Sequence, residues 1–294
     1  MTKEDEDFIK NFHKNRDLNA QFSINNKEIK KSINGKDYIE FTLSDKSGEI
    51  KGRMFPKNIQ EIYNAVQTGE VITTIGKIQE FPKDSGKYNI IIKKIYPIKT
   101  YDEEDFVRKL PNKDEKIEEI EKLIETIDDV ELRQLIDAIF DEETLNKFYN
   151  APAAKFHHHN YIGGLLEHTL EVMVICQAIS KLYPQIDRNI LITGALLHDI
   201  GKIEIYSYDN AKIDINQKGQ LLEHLYISAQ LIEEKSKEIN LSDEKRLHLI
   251  HMALSHHGDK DLGWGSAADP KTVEAVALHQ ADDLSAKIRN NIQE

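Results

Sequence analysis

Residues 190–202 read ILITGALLHDIGK, an apolar helical run that closes on an adjacent imidazole and carboxylate, His198 and Asp199, with Gly201 ending the run and Lys202 just beyond it. Two ligand types from neighbouring backbone positions suit a divalent metal. Such dipeptides also occur at ordinary helix ends, so the weight falls on what accompanies this one. Upstream, His168 sits on an apolar helical face made by Leu165, Leu166, Leu170 and Val174. Downstream, His224, His256 and His257 follow at wide intervals, and Asp282 closes the series. These are the residue types of a two-metal phosphate-ester hydrolase. In such chemistry two cations lower the pKa of a water and neutralise the phosphate oxygens, each needing open coordination positions.

Around this run lie segments with less definite readings. The triplet His157, His158 and His159 is internal and stands beside two glycines, which predicts a loop at the mouth of a site; His158 and His159 are candidate contacts to nucleic acid. Tyr206 and Tyr208 are placed to stack on a base or to pack under their own loop. The glycine-rich DKDLGWGSAADPKT, with the single tryptophan Trp264, reads as a lid or strand-binding loop. Lys202, one turn past the His-Asp pair, is a candidate for holding a phosphate oxygen or the departing alkoxide, against a plain role at a helix C-terminus.

The N-terminal part has a different period. FSINNKEIKKSI, DYIEFTLSD, EIKGRMF, VITTIGKIQEF and YNIIIKKIYPI are separated by NGK, KSG, a longer excursion and PKDSGK. In DYIEFTLSD, Ile39, Phe41 and Leu43 alternate with Tyr38, Glu40 and Thr42, the pattern of a half-buried strand. In the next strand Ile50 and Met54 share one face while Lys51, Arg53 and Phe55 take the other. Five short strands with a helix over Asn58 to Val66 between the third and fourth match the element order of an OB-fold barrel. Barrels of this type bind single strands by stacking bases on aromatics beside cations. Tyr38, Lys51, Arg53, Phe55 and Lys93 are the candidates for that surface.

Charge separates the two parts. The 294-residue chain has a formal net charge of -12, yet Leu18 to Lys99 carries 14 Lys and Arg against 9 Asp and Glu, a local +5 that leaves -17 elsewhere. Between them, 101–150 is acidic with helical apolar spacing. Ile117, Ile120, Leu123, Ile124 and Ile127 form one stripe, and Leu132, Leu135, Ile136 and Ile139 form a second helix past Asp128 and Asp129. The single cysteine, Cys176, excludes an intrachain disulfide and a cysteine zinc site, and reads as a small buried hydrophobe. MTKEDEDFIKNFHKNRD is too charged for a signal peptide, and no apolar run approaches the ~20 residues of a membrane span, so a cytoplasmic protein is expected.

The expected fold is therefore a multi-domain α+β chain: an N-terminal extension over 1–17, a five-stranded OB-fold β-barrel over 18–100, a helical connector over 101–150 and an all-α domain over 151–294. The blocks AAKFHHHNYIGGLLEHTLEV, GALLHDIGKIE, LLEHLYISAQLI, LIHMALSHHG and VEAVALHQADDLSAK, in this order, resemble the HD superfamily of metal-dependent phosphohydrolases. With an OB-type barrel ahead of them, the chain resembles more specifically the YhaM family of 3′-to-5′ exoribonucleases over nearly its whole length. The resemblance implies His168, His198, Asp199 and Asp282 as ligands of a first metal, with Asp199 bridging, and His224 and His256 as further ligands. His257 is the alternate or second ligand, both imidazoles of SHHG standing as candidates. Relatives often carry an acid three residues after the one matched by Asp282, where this chain has Ser285. Mixed imidazole and carboxylate ligation suits Mn, Fe, Co or Zn. The resemblance favours two Mn(II) per chain, single-stranded RNA as substrate with single-stranded DNA as a second, nucleoside 5′-monophosphates as products, and a homo-oligomer. Two rivals share these residues: a phosphohydrolase of a small nucleotide such as a cyclic dinucleotide or alarmone, and a single-strand-binding replication or repair protein with a structural HD domain.

Overall fold

Alternating apolar residues build a closed barrel from β1 (Asp17–Lys31), β2 (Asp37–Asp45), β3 (Gly48–Met54), β4 (Val71–Glu80) and β5 (Tyr88–Pro97), with α1 (Ile59–Ala65) between β3 and β4. This computed structural model describes residues 3–82, 84–154, 161–207, 213–261 and 265–292. Strand order around the barrel is β1-β2-β3-β5-β4; β3 and β5 run parallel and the other pairs antiparallel. The long first strand makes closure possible. Its first half, Asp17 to Ser23, pairs with β4 and its second half, Ser23 to Lys31, pairs with β2, with a bulge between Ile24 and Asn26 that turns it from one neighbour to the other. Phe22, Ile24, Ile39, Phe41, Leu43, Ile72 and Ile90 fill the interior.

The barrel agrees with the sequence-based expectation in type and element order, but β1 starts at Asp17 rather than Phe22. Only Leu18 and the small Ala20 point inward over Asp17 to Gln21, so the apolar signal there is slight. Residues before Asp17 pack on the barrel. Phe8 and Phe12 are buried, and the Lys3 ammonium sits 2.6 Å from Asp45 and 4.1 Å from the Phe22 ring centre.

A second unit begins at Lys109. It comprises α2 (Lys113–Glu125), α3 (Val130–Ile139), α4 (Glu142–Asn150), α5 (Gly164–Leu182), α6 (Arg188–Leu197), α7 (Gln217–Glu238), α8 (Asp243–Ser255) and α9 (Val273–Ile292). The segment expected as a connector thus supplies three helices whose apolar faces join the core of this unit, including Ile120, Leu132, Leu135 and Phe148. The sequence pattern suggested two helices there. Asp141 introduces the third by accepting a hydrogen bond from the Thr144 backbone N–H. Asp129 and Asp187 cap α3 and α6 in the same way. Every residue of α6 from Ile190 to Leu197 is buried, as expected of a helix apolar all round and enclosed by others. Among the described residues, no helix is long and apolar enough to cross a membrane.

Two backbone features fix how α6 delivers the HD pair. Its last turn passes into a 3-10 turn, Ile200–Glu204, whose Gly201 lies against α7 and donates its N–H to Ser228 Oγ at 2.9 Å. A Cβ on Gly201 would come within 2.6 Å of the His224 carbonyl oxygen and 2.7 Å of the Ser228 nitrogen. Across from it, α7 is broken at Glu223, which has φ 56 and ψ 166, a region that only glycine occupies without strain. The break lets the chain re-enter helix with His224 as its next residue. Because backbone atoms cannot yield as a side-chain tip can, Gly201→Ala should cost about 2–3 kcal/mol, read as a lower urea midpoint at unchanged slope.

Candidate metal centre and nucleic-acid face

Asp199 is 1% exposed, and its two carboxylate oxygens address two different groups of imidazoles. On one side, Oδ2 lies 3.5 Å from His168 Nε2 and 3.5 Å from His198 Nε2, while Asp282 Oδ1 approaches the same nitrogens at 3.0 and 3.9 Å. On the other, Oδ1 lies 3.3 Å from His224 Nε2 and 3.5 Å from His256 Nε2, and His224 Nε2 faces His257 Nε2 at 3.3 Å. Five helices contribute. His168 comes from α5, His198 and Asp199 from the end of α6, His224 from beyond the α7 break, His256 and His257 from the end of α8, and Asp282 from α9.

His198 Nδ1 is 2.8 Å from the Ala195 carbonyl oxygen and His256 Nδ1 is 2.8 Å from that of Ala253. A carbonyl only accepts, so each Nδ1 carries a proton, and Nε2 is the atom each ring turns to the centre, bare when the ring is neutral. Facing acceptors at these separations need a proton or a cation between them. Asp199 Oδ1, moreover, has no hydrogen-bond partner among the described residues. A buried, orphaned carboxylate oxygen ringed by imidazole lone pairs fits divalent metal, and mixed N/O donors fit the transition metals. His168, His198 and Asp282 form one compact donor group, and His224, His256 and His257 another; His198, Asp199 and His256 link them.

The electrostatics agree with that use. Burial pushes His198 down to about 4 and His257 to about 3, and likewise holds His224 well below the usual histidine value, so these rings stay neutral and available. Burial would also lower His256, but contact with Asp199 more than offsets it and its pKa is raised. For Asp199 burial works against ionisation, and the Lys202 ammonium followed by the surrounding histidines outweighs it, holding the carboxyl well below its normal range. Asp282 is likewise lowered against burial by His168. Lys202 Nζ stands 2.5 Å from Asp199 Oδ2 at the edge of the cluster. Tyr206 is half-buried beside that ammonium, and burial is the main cause of its raised pKa.

The structure thus brings together His168, His198, Asp199, Lys202, His224, His256, His257 and Asp282. Both imidazoles of SHHG turn inward, their ring centres 4.4 Å apart. His157, His158 and His159, together with Tyr208 and Trp264, lie outside the described residues. Sequence reasoning missed three supports. His279 donates from Nδ1 to the His256 carbonyl at 2.9 Å, fixing the end of α8. Glu171 and Arg289, behind His168, look like ordinary charged positions in the sequence.

On the barrel, Tyr38, Lys51 and Arg53 share one face of β2 and β3, and Phe55 directly follows β3. Tyr38 and Phe55 stack with ring centres 5.1 Å apart, and Phe55 is 41% exposed. The Arg53 guanidinium lies 5.9 Å from the Tyr38 ring centre and 5.2 Å from that of Phe81. Glu40 also binds Arg53, at 3.2 Å, and Lys51 donates to Thr42 at 2.6 Å. Lys93 is exposed on β5, two residues past Ile91, the register partner of Arg53. Phe81, 54% exposed, and Lys36, 5.7 Å from the Phe55 ring centre, extend the strip. An aromatic at the start of the FPKDSGK loop was the available sign of Phe81.

Comparison with known proteins accords with both parts. The HD domain family pattern matches residues 165–287, and that of the OB-fold nucleic acid binding domain matches 24–98. A protein of Listeria welshimeri named 3'-5' exoribonuclease YhaM is 32% identical over 270 residues, covering 88% of this chain and 83% of that one. Its namesake in Bacillus subtilis strain 168 is 29% identical over 260 residues, covering 87% and 80%. The solved HD domain of L. monocytogenes phosphodiesterase PgpH matches at 20% identity with a TM-score of 0.32, over 51% of this chain and 74% of that one, a likeness too loose to define a shared fold. With an OB-fold barrel, an HD domain behind it and identity running through both, the chain belongs to the YhaM family of 3′-to-5′ exoribonucleases.

Proposed function

We infer that this chain is a metal-dependent exoribonuclease that removes nucleotides from the 3′ end of single-stranded RNA, with single-stranded DNA as a second substrate and nucleoside 5′-monophosphates as products. One observation carries the hydrolytic half of this reading: a single buried carboxylate, Asp199, whose two oxygens face separate imidazole groups. Polarity follows from the family.

His168, His198, Asp199 and Asp282 would hold one cation, and Asp199, His224, His256 and His257 a second. Mn(II) is the proposed metal, two per chain, with Fe, Co or Zn as the other metals suited to these donors. Such cations, when bound, would lower the pKa of a water and neutralise phosphate oxygens. The remaining work falls to the chain itself. Lys202 carries the positive charge nearest Asp199 and is assigned to a non-bridging phosphate oxygen or to the charge that grows on the departing oxygen. The Tyr38–Phe55 stack offers a platform for bases, and Lys36, Lys51, Arg53 and Lys93 a track for phosphates. The +5 charge of residues 18–99 supports this within a chain of net -12. We further propose a cytoplasmic protein that forms homo-oligomers.

Removing the bridge should be decisive. Asp199→Ala is expected to lower hydrolysis of a 5′-labelled single-stranded RNA by on the order of 10³ or more, with RNA binding by anisotropy nearly unchanged; hydrolysis at the parent rate would defeat the proposed site. Treatment with a chelator should stop the reaction and Mn(II) should restore it, whereas full activity in metal-free protein would exclude metal dependence. Replacing Phe55 by Ala is expected to weaken binding of single-stranded RNA roughly 5- to 100-fold, the loss of one base stack worth ~1–3 kcal/mol. The same variant should cleave a dinucleotide at an unchanged kcat.

A further inference from the structure

Ser285, on the inner face of α9, is 3% exposed. Ser285 Oγ lies 2.8 Å from Glu171 Oε2 and 3.4 Å from His168 Nδ1. An ionised carboxylate only accepts, so the single hydroxyl proton goes to Glu171. The serine oxygen then turns its lone pairs toward His168, and a ring nitrogen opposite a lone pair is favoured when it carries the proton. Nδ1–H on that side leaves Nε2 as the basic atom, and Nε2 is the one that faces Asp282, Asp199 and His198.

Helical spacing makes the arrangement possible. His168 and Glu171 are three apart on α5, and Ser285 and Arg289 are four apart on α9, so each pair shares a face and the two faces interleave. Arg289 Nε donates to Glu171 Oε1 at 2.6 Å, and a second guanidinium nitrogen reaches the same oxygen. Arg289 also meets Glu167 at 3.1 Å, a residue that Lys116 of α2 approaches at 3.1 Å. Arg289 therefore fixes the position of Glu171 beside Ser285. A negative charge behind an imidazole raises the basicity of its far nitrogen and fixes the ring's orientation.

We propose that Ser285 and Glu171 are a positioning pair for His168: the Glu171 carboxylate, from α5, acts on the ring through the serine hydroxyl, with Arg289 holding it. The pair sets the tautomer and tilt of His168 and so the affinity of the first metal site. This rests on the reading of His168 as a ligand.

Co(II) serves as the probe, its uptake followed by visible absorption and by competition with a chelator, with the melting temperature of each metal-free variant as the control on folding. Glu171→Gln is expected to weaken Co(II) binding by roughly 10- to 100-fold with little change in that melting temperature. Ser285→Ala, which keeps the Glu171–Arg289 pair, should weaken it similarly and carries the test if Glu171→Gln fails to fold. Adding Ser285→Asp to Glu171→Gln puts a carboxylate directly opposite Nδ1 and should restore most of the lost affinity. Parent-like Co(II) affinity in both single variants, or no recovery in the double variant, overturns the proposal. Those results differ from failure of the ligand reading itself, in which His168→Ala would bind Co(II) as the parent does.

Discussion

An ionised carboxylate inside a protein must be compensated, since withdrawing it from water costs several kcal/mol even after relaxation. Asp199 imposes that requirement on the helical unit. Its neighbours meet it from separate elements: Lys202 from the same turn, His168 and His198 on one oxygen, His224 and His256 on the other. Convergence of so many elements on one group explains why α6 is central and why its exit is so tightly shaped. Gly201 allows the turn to lie against α7, and that closeness puts His224 within reach of the carboxylate.

How much of this was visible in the sequence depended on how local the cause was. The alternation in Asp37–Asp45 states its own burial, and Ile39, Phe41 and Leu43 are inside. The first part of β1 has the same alternation but writes it with Leu18 and Ala20 among polar residues, too little contrast to register. Phe140 continues an apolar pattern past the point where Asp141 begins a new helix, so two helices read as one. Among the site residues, the histidines and acids, and the bridging place of Asp199, could be named through family likeness, but not from their spacing. That His256 and His257 both face inward follows from their place at a helix end, where consecutive residues open onto a concave surface. Glu171 and Arg289 become meaningful only once α5 and α9 are packed together, which spacing within either helix does not reveal.

Chemistry is divided between the units along the same line as charge. The barrel shows flat aromatic surface beside cations, suited to a polymer whose sequence varies, because every base has a face to stack and every linkage a phosphate. The helical unit shows the reverse, an enclosed cluster of imidazoles and carboxylates around Asp199. In the proposed function, sequence-tolerant holding and exacting chemistry fall to different surfaces of one chain. Arg53 illustrates the economy of the first: it meets Glu40 on its own sheet and still lies near two aromatic rings.

The break at Glu223 bears on more than the aim of one imidazole. A continuous α-helix unravels from its ends, each turn depending on the next, whereas α7 consists of a short arm, residues 217–222, and a long rod, residues 224–238, joined at a residue under backbone strain. The rod is anchored by buried Leu225, Ile227, Ala229 and Ile232. On the arm, Leu221 and Leu222 are exposed, and Gly219 is its one buried residue. Local opening of the arm would release strain instead of adding it and would leave His224 attached to the rod. The strained residue thus divides the helix into an exposed arm and a buried rod, and His224 belongs to the rod.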